Sequence, residues 1–332
     1  DAGDAALTVA SPAPAPKETK PDATGSARSP ATGPTTRTIA DRRATLRTSM
    51  TLQAKPTASE SPTVRGLAQL LRGRRIVVLT GAGVSTESGI PDYRSPEAIV
   101  RVRRPIHGPE FVRSEAVRRR YWARAMVGWE RFRHAQPGPA HRAIAELEER
   151  GIVTCVITQN VDRLHHAAGS RSIIELHGAL AEVVCLRCGA LEDRDAVQSR
   201  MREANRPWND GAARMTPDGD ADLDDATVAA FQVPACVRCG GALKPRVVFF
   251  GENVERPIVD EAFASVDHTD ALLVAGTSLA VFSGYRFLRR AAERRIPIAI
   301  VNRGPVRGEE HARVKIDAST GAALAELAQA LA

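Results

Sequence analysis

Lysine is almost missing from this chain of 332 residues. It stands only at Lys17, Lys20, Lys55, Lys244 and Lys315, so nearly all of the 46 basic residues are Arg. Against 39 Asp and Glu they leave a net charge of +7. The arginines are scattered along the sequence, which reads as a coding bias with a modest pull toward acidic partners. No specific nucleic-acid partner is expected from it. Aromatic residues are also scarce, at 4%, and none adjoins the cysteine pairs, which removes the platforms on which single-stranded bases stack. Long apolar runs are absent too. The longest, 271–282, is broken by Gly276, Thr277 and Ser278 and is too short to span a bilayer, so no membrane association is expected. Cysteine is limited to five residues, four of them in two Cys-x-x-Cys pairs, and this points to metal in a reducing compartment instead of a disulfide framework.

What is present supports a folded protein: 43% hydrophobic and 26% charged residues suffice for a sizeable core. Residues 1–60 are the exception. They are rich in Ala, Pro, Ser and Thr with few large apolar side chains, and are expected to form a disordered tail or an unprocessed leader, Met50 being an alternative start. The apolar core of a secretory signal is missing. The Arg28–Arg47 stretch has some features of a mitochondrial presequence, but Asp41 and the prolines speak against it. The expected location is cytoplasmic for a bacterial protein, with the mitochondrial matrix the less favoured alternative.

From Val64 onward the pattern alternates. An amphipathic helix, Val64–Leu71, precedes the apolar strand Ile76–Leu79. Further strands of the same buried parallel kind are expected at Ile152–Ile157, Val247–Phe250, Ala271–Ala275 and Ile296–Val301, with helices between them such as Ala140–Arg150, capped by Gly151. The fold class is α/β, a Rossmann-like parallel sheet with helices on both faces. The stretch 180–245 breaks the rhythm and reads as a small inserted zinc-binding domain carrying a long loop, 191–231.

Four features carry chemistry. Gly81-Ala82-Gly83-Val84-Ser85 directly follows a strand, where glycines let the backbone approach a pyrophosphate and a following helix would turn its positive end toward it; a plain tight turn is the alternative. Thr86 stands where the dehydrogenase fingerprint has a third Gly, and no acid follows about twenty residues on, which disfavours hydride transfer. Cys185, Cys188, Cys236 and Cys239 form two knuckles suited to tetrahedral zinc with no open position, hence a structural metal. Cys155 lies in a buried strand and reads as core. Past the end of another strand come Gln159, Asn160 and Asp162, followed by His177 before a Gly; together they make His177 a candidate general base. His165 and His166, in a helical stretch, are expected at the surface. Gly276-Thr277-Ser278 and Asn302-Arg303-Gly304 are the small and polar tails of two later strands, positions open to a ribose or adenine.

With these residues in place, the chain resembles a known family. GAGVSTESGIPDYRS (81–95), TQNVD (158–162), ELHG (175–178), the two Cys-x-x-Cys pairs, LKPRVVFFGE (243–252), GTSL (276–279) and VNRG (301–304) look like a sirtuin, a Sir2-type NAD-dependent protein deacylase. RRPIHGPEFVRS (103–114), FQVPACVRCGG (231–241) and FSGYRF (282–287) are similar to class II, the group of mitochondrial sirtuin four and bacterial relatives. The resemblance covers about residues 64–330. It implies that NAD is consumed as co-substrate: acyl-lysine, NAD and water yield lysine, nicotinamide and O-acyl-ADP-ribose, with the acylated lysine side chain of a protein as partner and zinc as structural metal.

The resemblance also distributes roles. His177 would help deprotonate a ribose hydroxyl, with Asn160 and Asp162 beside it in the catalytic group. Gly81, Ala82, Gly83, Ser85 and Glu87 would line the cofactor; Pro91, Asp92, Tyr93 and Arg94 would form its mobile loop. Gln159, Asn160 and Asp162 would surround the nicotinamide, while Gly276, Thr277, Ser278, Asn302, Arg303, Gly304 and Thr320 would face the adenosine end. Val248, Phe249, Phe250 and Gly251 would clamp an extended peptide by strand addition. Tyr121 and Arg124 resemble the Tyr-x-x-Arg pair that binds acidic acyl groups in desuccinylating sirtuins, although the aligned segments are offset by one residue. A longer or negatively charged acyl group is the expected preference. Two other readings stay open at this level: protein mono-ADP-ribosyl transfer, and a catalytically silent NAD-binding sensor. The oligomeric state is not legible.

Overall fold

The computed structural model describes residues 63–92, 106–206 and 225–332; the expected tail therefore lies outside the described residues. Helix α1 (Val64–Leu71) starts where Thr63 accepts a hydrogen bond from the Gly66 N–H, and it leads into β1 (Ile76–Thr80). Next come α2 (Gly108–Arg113), α3 (Glu115–Arg133) and α4 (Pro139–Glu149), then β2 (Val153–Thr158), α5 (Leu164–Ala167) and β3 (Ile173–Glu175). Gly151 closes α4 at φ +72°, a conformation that costs a Cβ-bearing residue energy.

The chain then leaves for a second sheet: β4 (Gly178–Cys185), β5 (Leu191–Asp193), α6 (Arg194–Ala204), α7 (Asp225–Ala230) and β6 (Leu243–Val247). It returns through α8 (Arg256–Asp267), β7 (Ala271–Ala275), α9 (Phe282–Glu293), β8 (Ile298–Val301), β9 (Val314–Ile316) and α10 (Thr320–Ala330).

The large sheet is parallel throughout, in the order β3-β2-β1-β7-β8-β9. Alternate residues of each strand face opposite sides, so each strand feeds two cores. Val78, Leu273 and Val301 pack under α1, α4 and α10 through Leu67, Ile144 and Leu324. Val77, Leu79, Leu272 and Ile300 pack under α8 and α9 through Val266, Phe287 and Leu288. Because the chain runs outward from β1 in one direction and from β7 in the other, the strand order reverses between these two neighbours. A crevice must open there, at their carboxyl ends.

The small sheet is antiparallel, in the order β5-β4-β6. This corrects the expectation of a buried parallel strand at Val247–Phe250: the strand runs Leu243–Val247 in the small sheet, and beyond it only Phe250 forms an isolated bridge, with His107. Nor is 191–231 simply a loop, since α6 and α7 occupy much of it; residues 207–224 lie outside the described ones. The small sheet also gathers α2 and α3 from far upstream. Phe111, Tyr121, Trp122 and Met126 pack with Val183, Val197, Met201 and Leu243, and the Trp122 indole N–H donates to the Leu243 carbonyl at 3.0 Å. Among the described residues no helix is long and apolar enough to cross a membrane.

Candidate functional site

The turn after β1 and the turn after β7 meet backbone to backbone. Gly83 N–H donates to the Gly276 carbonyl at 2.8 Å, and a Cβ on Gly83 would lie 2.8 Å from the Gly276 Cα. These glycines therefore serve first to let two turns touch, and the two backbones, with the Thr277 side chain against Gly81, form a cradle at the crevice. No regular helix follows Gly81-Ala82-Gly83, contrary to expectation. Two 3-10 turns, Ala82–Val84 and Thr86–Ser88, follow instead, so any anion would be met by individual N–H groups and not by a long helix dipole.

Around the cradle the β2 turn supplies amides and a carboxylate. Asn160 Nδ2 donates to the Gly81 carbonyl at 3.0 Å and to Ser85 Oγ at 3.1 Å, while Ser85 donates its own proton to Asp162 at 2.6 Å. Gln159 Nε2 bridges the Thr80 carbonyl and Thr277 Oγ1, both at 3.1 Å. Ser85 is fully buried and has a further partner that the sequence reading missed. His141, in the first turn of α4, accepts the Gly138 N–H at Nδ1, which places its proton on Nε2, directed at Ser85 Oγ 3.4 Å away. Burial lowers the His141 pKa, with the Asp162 charge opposing, and the ring is held neutral. The only sequence signal for it was a His at the third position of a helix opened by Gly-Pro.

His165, expected at the surface, is buried. Its Nε2 pairs with Thr80 Oγ1 at 3.0 Å and its ring lies 4.8 Å from that of His141. The short helix α5 turns this face inward, and burial pushes its pKa down to about 3. His166 is exposed, as expected.

His177 sits between β3 and β4, where the chain passes from one sheet to the other. Nδ1–H donates to the Gln159 carbonyl at 2.9 Å, leaving Nε2 as the lone-pair nitrogen, which receives the Ser283 hydroxyl at 2.8 Å. Burial lowers its pKa below the usual 6.5; the Gln159 hydrogen bond opposes this and the Arg286 charge adds to it. A neutral imidazole with a defined tautomer is the state a general base requires. Ser283, in the first turn of α9, belongs to the FSGYRF block, which by itself gave this serine no role.

The His177 carbonyl accepts the Val248 N–H at 3.0 Å, so the expected peptide segment Val248–Gly251 starts against the same residue. Phe250, Val281 and Phe282 are exposed apolar residues on this side. Tyr121 is enclosed, its ring 5.5 Å from those of Phe111 and Phe249, so α3 backs onto the peptide segment. Arg124 follows one turn later and is half-buried.

At the far end of the crevice Asn302 is buried and donates to the Arg303 and Gly304 carbonyls, whereas Arg303 is exposed. Thr320 Oγ1 donates to the Gly83 carbonyl at 3.1 Å, tying α10 to the cradle. The Glu87 carboxylate is engaged by the Ser319 hydroxyl and lies where a Cβ on Gly321 would fall, at the start of α10. Pro91 and Asp92 are half-buried; Tyr93 and Arg94 lie outside the described residues.

Outside the crevice, the four knuckle sulfurs lie within 4.8 Å of one another, with Cys185 to Cys239 at 3.5 Å and Cys188 to Cys236 at 3.9 Å. Tetrahedral zinc with bonds near 2.3 Å places its sulfurs about 3.8 Å apart, so the set fits. The knuckle turns close on Gly189 and Gly240, both at positive φ. A side chain at Gly241 would press on Cys185 and Cys239.

Comparison with known proteins bears on most of the chain. The Sir2 family model matches residues 81–283. NAD-dependent protein deacetylase 2 of Bradyrhizobium diazoefficiens is 49% identical over 256 residues, which is 77% of this chain and 94% of that protein. The human NAD-dependent protein lipoamidase sirtuin-4, mitochondrial, is 49% identical over 251 residues, 75% of this chain and 80% of its own. Among solved structures, a complex of Sir2 with a p53 peptide and NAD superposes with a TM-score of 0.61 at 28% identity, covering 80% of this chain and 96% of the other.

Proposed function

Because this chain belongs to the Sir2 family, we propose that the crevice described above is where it works as an NAD-dependent protein lysine deacylase, turning acyl-lysine, NAD and water into lysine, nicotinamide and O-acyl-ADP-ribose. One observation carries the assignment of roles. A neutral imidazole, His177, and the Ser85–Asn160–Asp162 network flank the cradle formed by the touching β1 and β7 turns, at the point where the strand order reverses.

NAD supplies the ribose carbon that receives the acyl oxygen and the nicotinamide that departs. The chain's residues do the rest. Gly81, Ala82, Gly83 and Gly276 leave room for the pyrophosphate, and Asn302 and Thr320 shape the adenosine end. The Asp162 carboxylate, fixed by Ser85 at 2.6 Å, stabilises the positive charge that builds on the ribose as its bond to nicotinamide lengthens. His177 takes the ribose hydroxyl proton at Nε2, and the Gln159 carbonyl holds the resulting cation by accepting Nδ1–H. Val248 to Gly251 and the segment after Ser278 hold the substrate backbone as an added strand, with Phe250 and Phe282 covering it. Zinc on Cys185, Cys188, Cys236 and Cys239 cross-links the small sheet and takes no part in the reaction.

The finer assignments belong to the same proposal. Tyr121 and Arg124, beside Phe249, are assigned to the acyl chain, and a longer or acidic acyl group is preferred. A reducing compartment, the cytoplasm in a bacterial setting, suits knuckle cysteines that hold a metal and not disulfides.

The test is nicotinamide release from NAD over a panel of acyl-lysine peptides, for the wild type and His177→Ala. Turnover with one acyl class, abolished in the variant while NAD still binds, supports the assignment. Full activity of His177→Ala would sink it. Labelling of a protein by NAD without peptide turnover would point to ADP-ribosyl transfer instead.

A further inference from the structure

Helix α9 carries three arginines, Arg286, Arg289 and Arg290, and Arg294 follows directly at its C-terminal end; three of these four have carboxylate partners. Arg290 holds Asp267 through two bonds of 2.8 and 2.7 Å, Arg294 reaches Asp267 at 3.4 Å, and Arg289 reaches Glu293 at 3.3 Å. Arg286 differs. Its Nε is buried without a hydrogen-bond partner, and no ion pair reaches it from the described residues. Its one described contact is the Phe282 ring, 5.3 Å from the guanidinium carbon. Burial lowers its pKa, and no carboxylate among the described residues offsets the effect. A guanidinium partly withdrawn from water is costly unless something completes its hydrogen bonds.

Its place in the fold indicates what that is. Ser283, one turn earlier on the same face of α9, hydrogen-bonds His177, and the Arg286 charge is felt at that imidazole. The half-exposed Phe282 beside it belongs to the lip assigned to the peptide. The pyrophosphate cradle, by contrast, is formed by the β1 and β7 turns. The guanidinium thus lies on the substrate side of His177, and its planar fork matches a carboxylate in two parallel bonds.

We propose that Arg286 is a specificity residue that pairs with a carboxylate of the acylated substrate, carried either at the end of the acyl chain or on an acidic side chain next to the acyl-lysine. The proposal rests on the assignment of His177 and the Val248–Gly251 clamp to catalysis and peptide binding. It is separate from the role given to Tyr121 and Arg124, which stand on another helix.

The experiment compares wild type, Arg286→Gln and Arg286→Lys on three peptides. One carries acetyl-lysine among neutral residues, one carries a glutaryl-lysine among the same residues, and one carries acetyl-lysine flanked by Asp or Glu. The quantity read is kcat/KM for each carboxylate peptide divided by that for the neutral one. A charge-assisted pair predicts that this ratio falls roughly tenfold to a hundredfold in Arg286→Gln for one of the two carboxylate peptides, and the peptide affected identifies the source. Arg286→Lys, which keeps the charge but not the fork, retains part of the ratio. Ratios unchanged within about twofold in Arg286→Gln overturn the inference, as does an equal loss on all three peptides with weaker NAD binding, which would put the guanidinium on the cofactor. If His177→Ala keeps full turnover, the underlying site assignment fails. If it is inactive while the Arg286 ratios stay flat, only this inference fails.

Discussion

Gly276→Ala is the substitution whose cost the structure defines most closely. Gly276 has φ +61°, and a Cβ there would stand 2.5 Å from the Val84 nitrogen and 2.7 Å from the Gly83 carbonyl carbon. Both neighbours are backbone, pinned by the 2.8 Å bond from Gly83 N–H to the Gly276 carbonyl, so they cannot turn aside as a side chain would. Two costs combine: about 1–2 kcal/mol for a left-handed alanine and about 1–3 kcal/mol for overpacking. Gly304→Ala separates them, because Gly304 has φ +75° but nothing within 4 Å of a Cβ, and only the first cost applies. A net loss of about 3 kcal/mol corresponds to a Tm lowered by roughly 6–12 °C in a domain of this size. Thermal unfolding of the zinc-loaded protein, followed by circular dichroism, compares the two variants. Since the clash also displaces the cradle, turnover in Gly276→Ala falls by roughly a hundredfold while Gly304→Ala changes it far less. Equal melting temperatures for the two variants would refute the claim that contact between the β1 and β7 turns is what requires these glycines.

Other outcomes follow from the same geometry. Stripping zinc with a chelator, or replacing Cys239 with Ala, should loosen the small sheet and shift tryptophan emission to the red, because the buried Trp122 is bonded to Leu243 of that sheet; unchanged emission after verified metal loss would count against the structural role. Activity should persist on the acid side of pH 6.5, since the His177 base works when neutral and burial lowers its pKa; a kcat/KM profile whose acid limb lies at or above 6.5 would contradict this. Stability should behave differently. His165 titrates near 6.5 when unfolded but near 3 in the fold, so the unfolded state binds the extra proton as pH drops between these values, and stability falls by up to about 1.4 kcal/mol per pH unit. His165→Gln, compared by urea unfolding at several pH values, should flatten that slope.

Much of the site was legible because its parts are local. Strand ends with small and polar tails, Gly81 to Ser85, Gln159 to Asp162 and Gly276 to Ser278, announce themselves through short-range composition, as does a Cys-x-x-Cys turn closed by Gly189 or Gly240. Hydrophobic runs likewise marked β1, β2, β7 and β8, since a strand buried on both faces has no polar positions to obscure it. The small sheet was misread for the opposite reason. Its strands are short and irregular, so the strand was sought at Val247–Phe250 and in the parallel sheet, whereas it runs Leu243–Val247 in the small one.

What the sequence determined by itself is the inventory: a parallel α/β sheet, a cysteine cluster suited to zinc, and the short blocks that match the Sir2 family. Tertiary structure alone decided the partnerships, because they join residues far apart in the chain whose sequence neighbours say nothing of each other. It placed His141 behind Ser85, Ser283 on His177, α2 and α3 against the small sheet, and Arg286 one turn from Ser283 with no carboxylate partner among the described residues. Local pattern reports which face of an element is apolar; which distant polar group completes a buried hydrogen bond is settled only when the sheets close and every buried donor must find an acceptor.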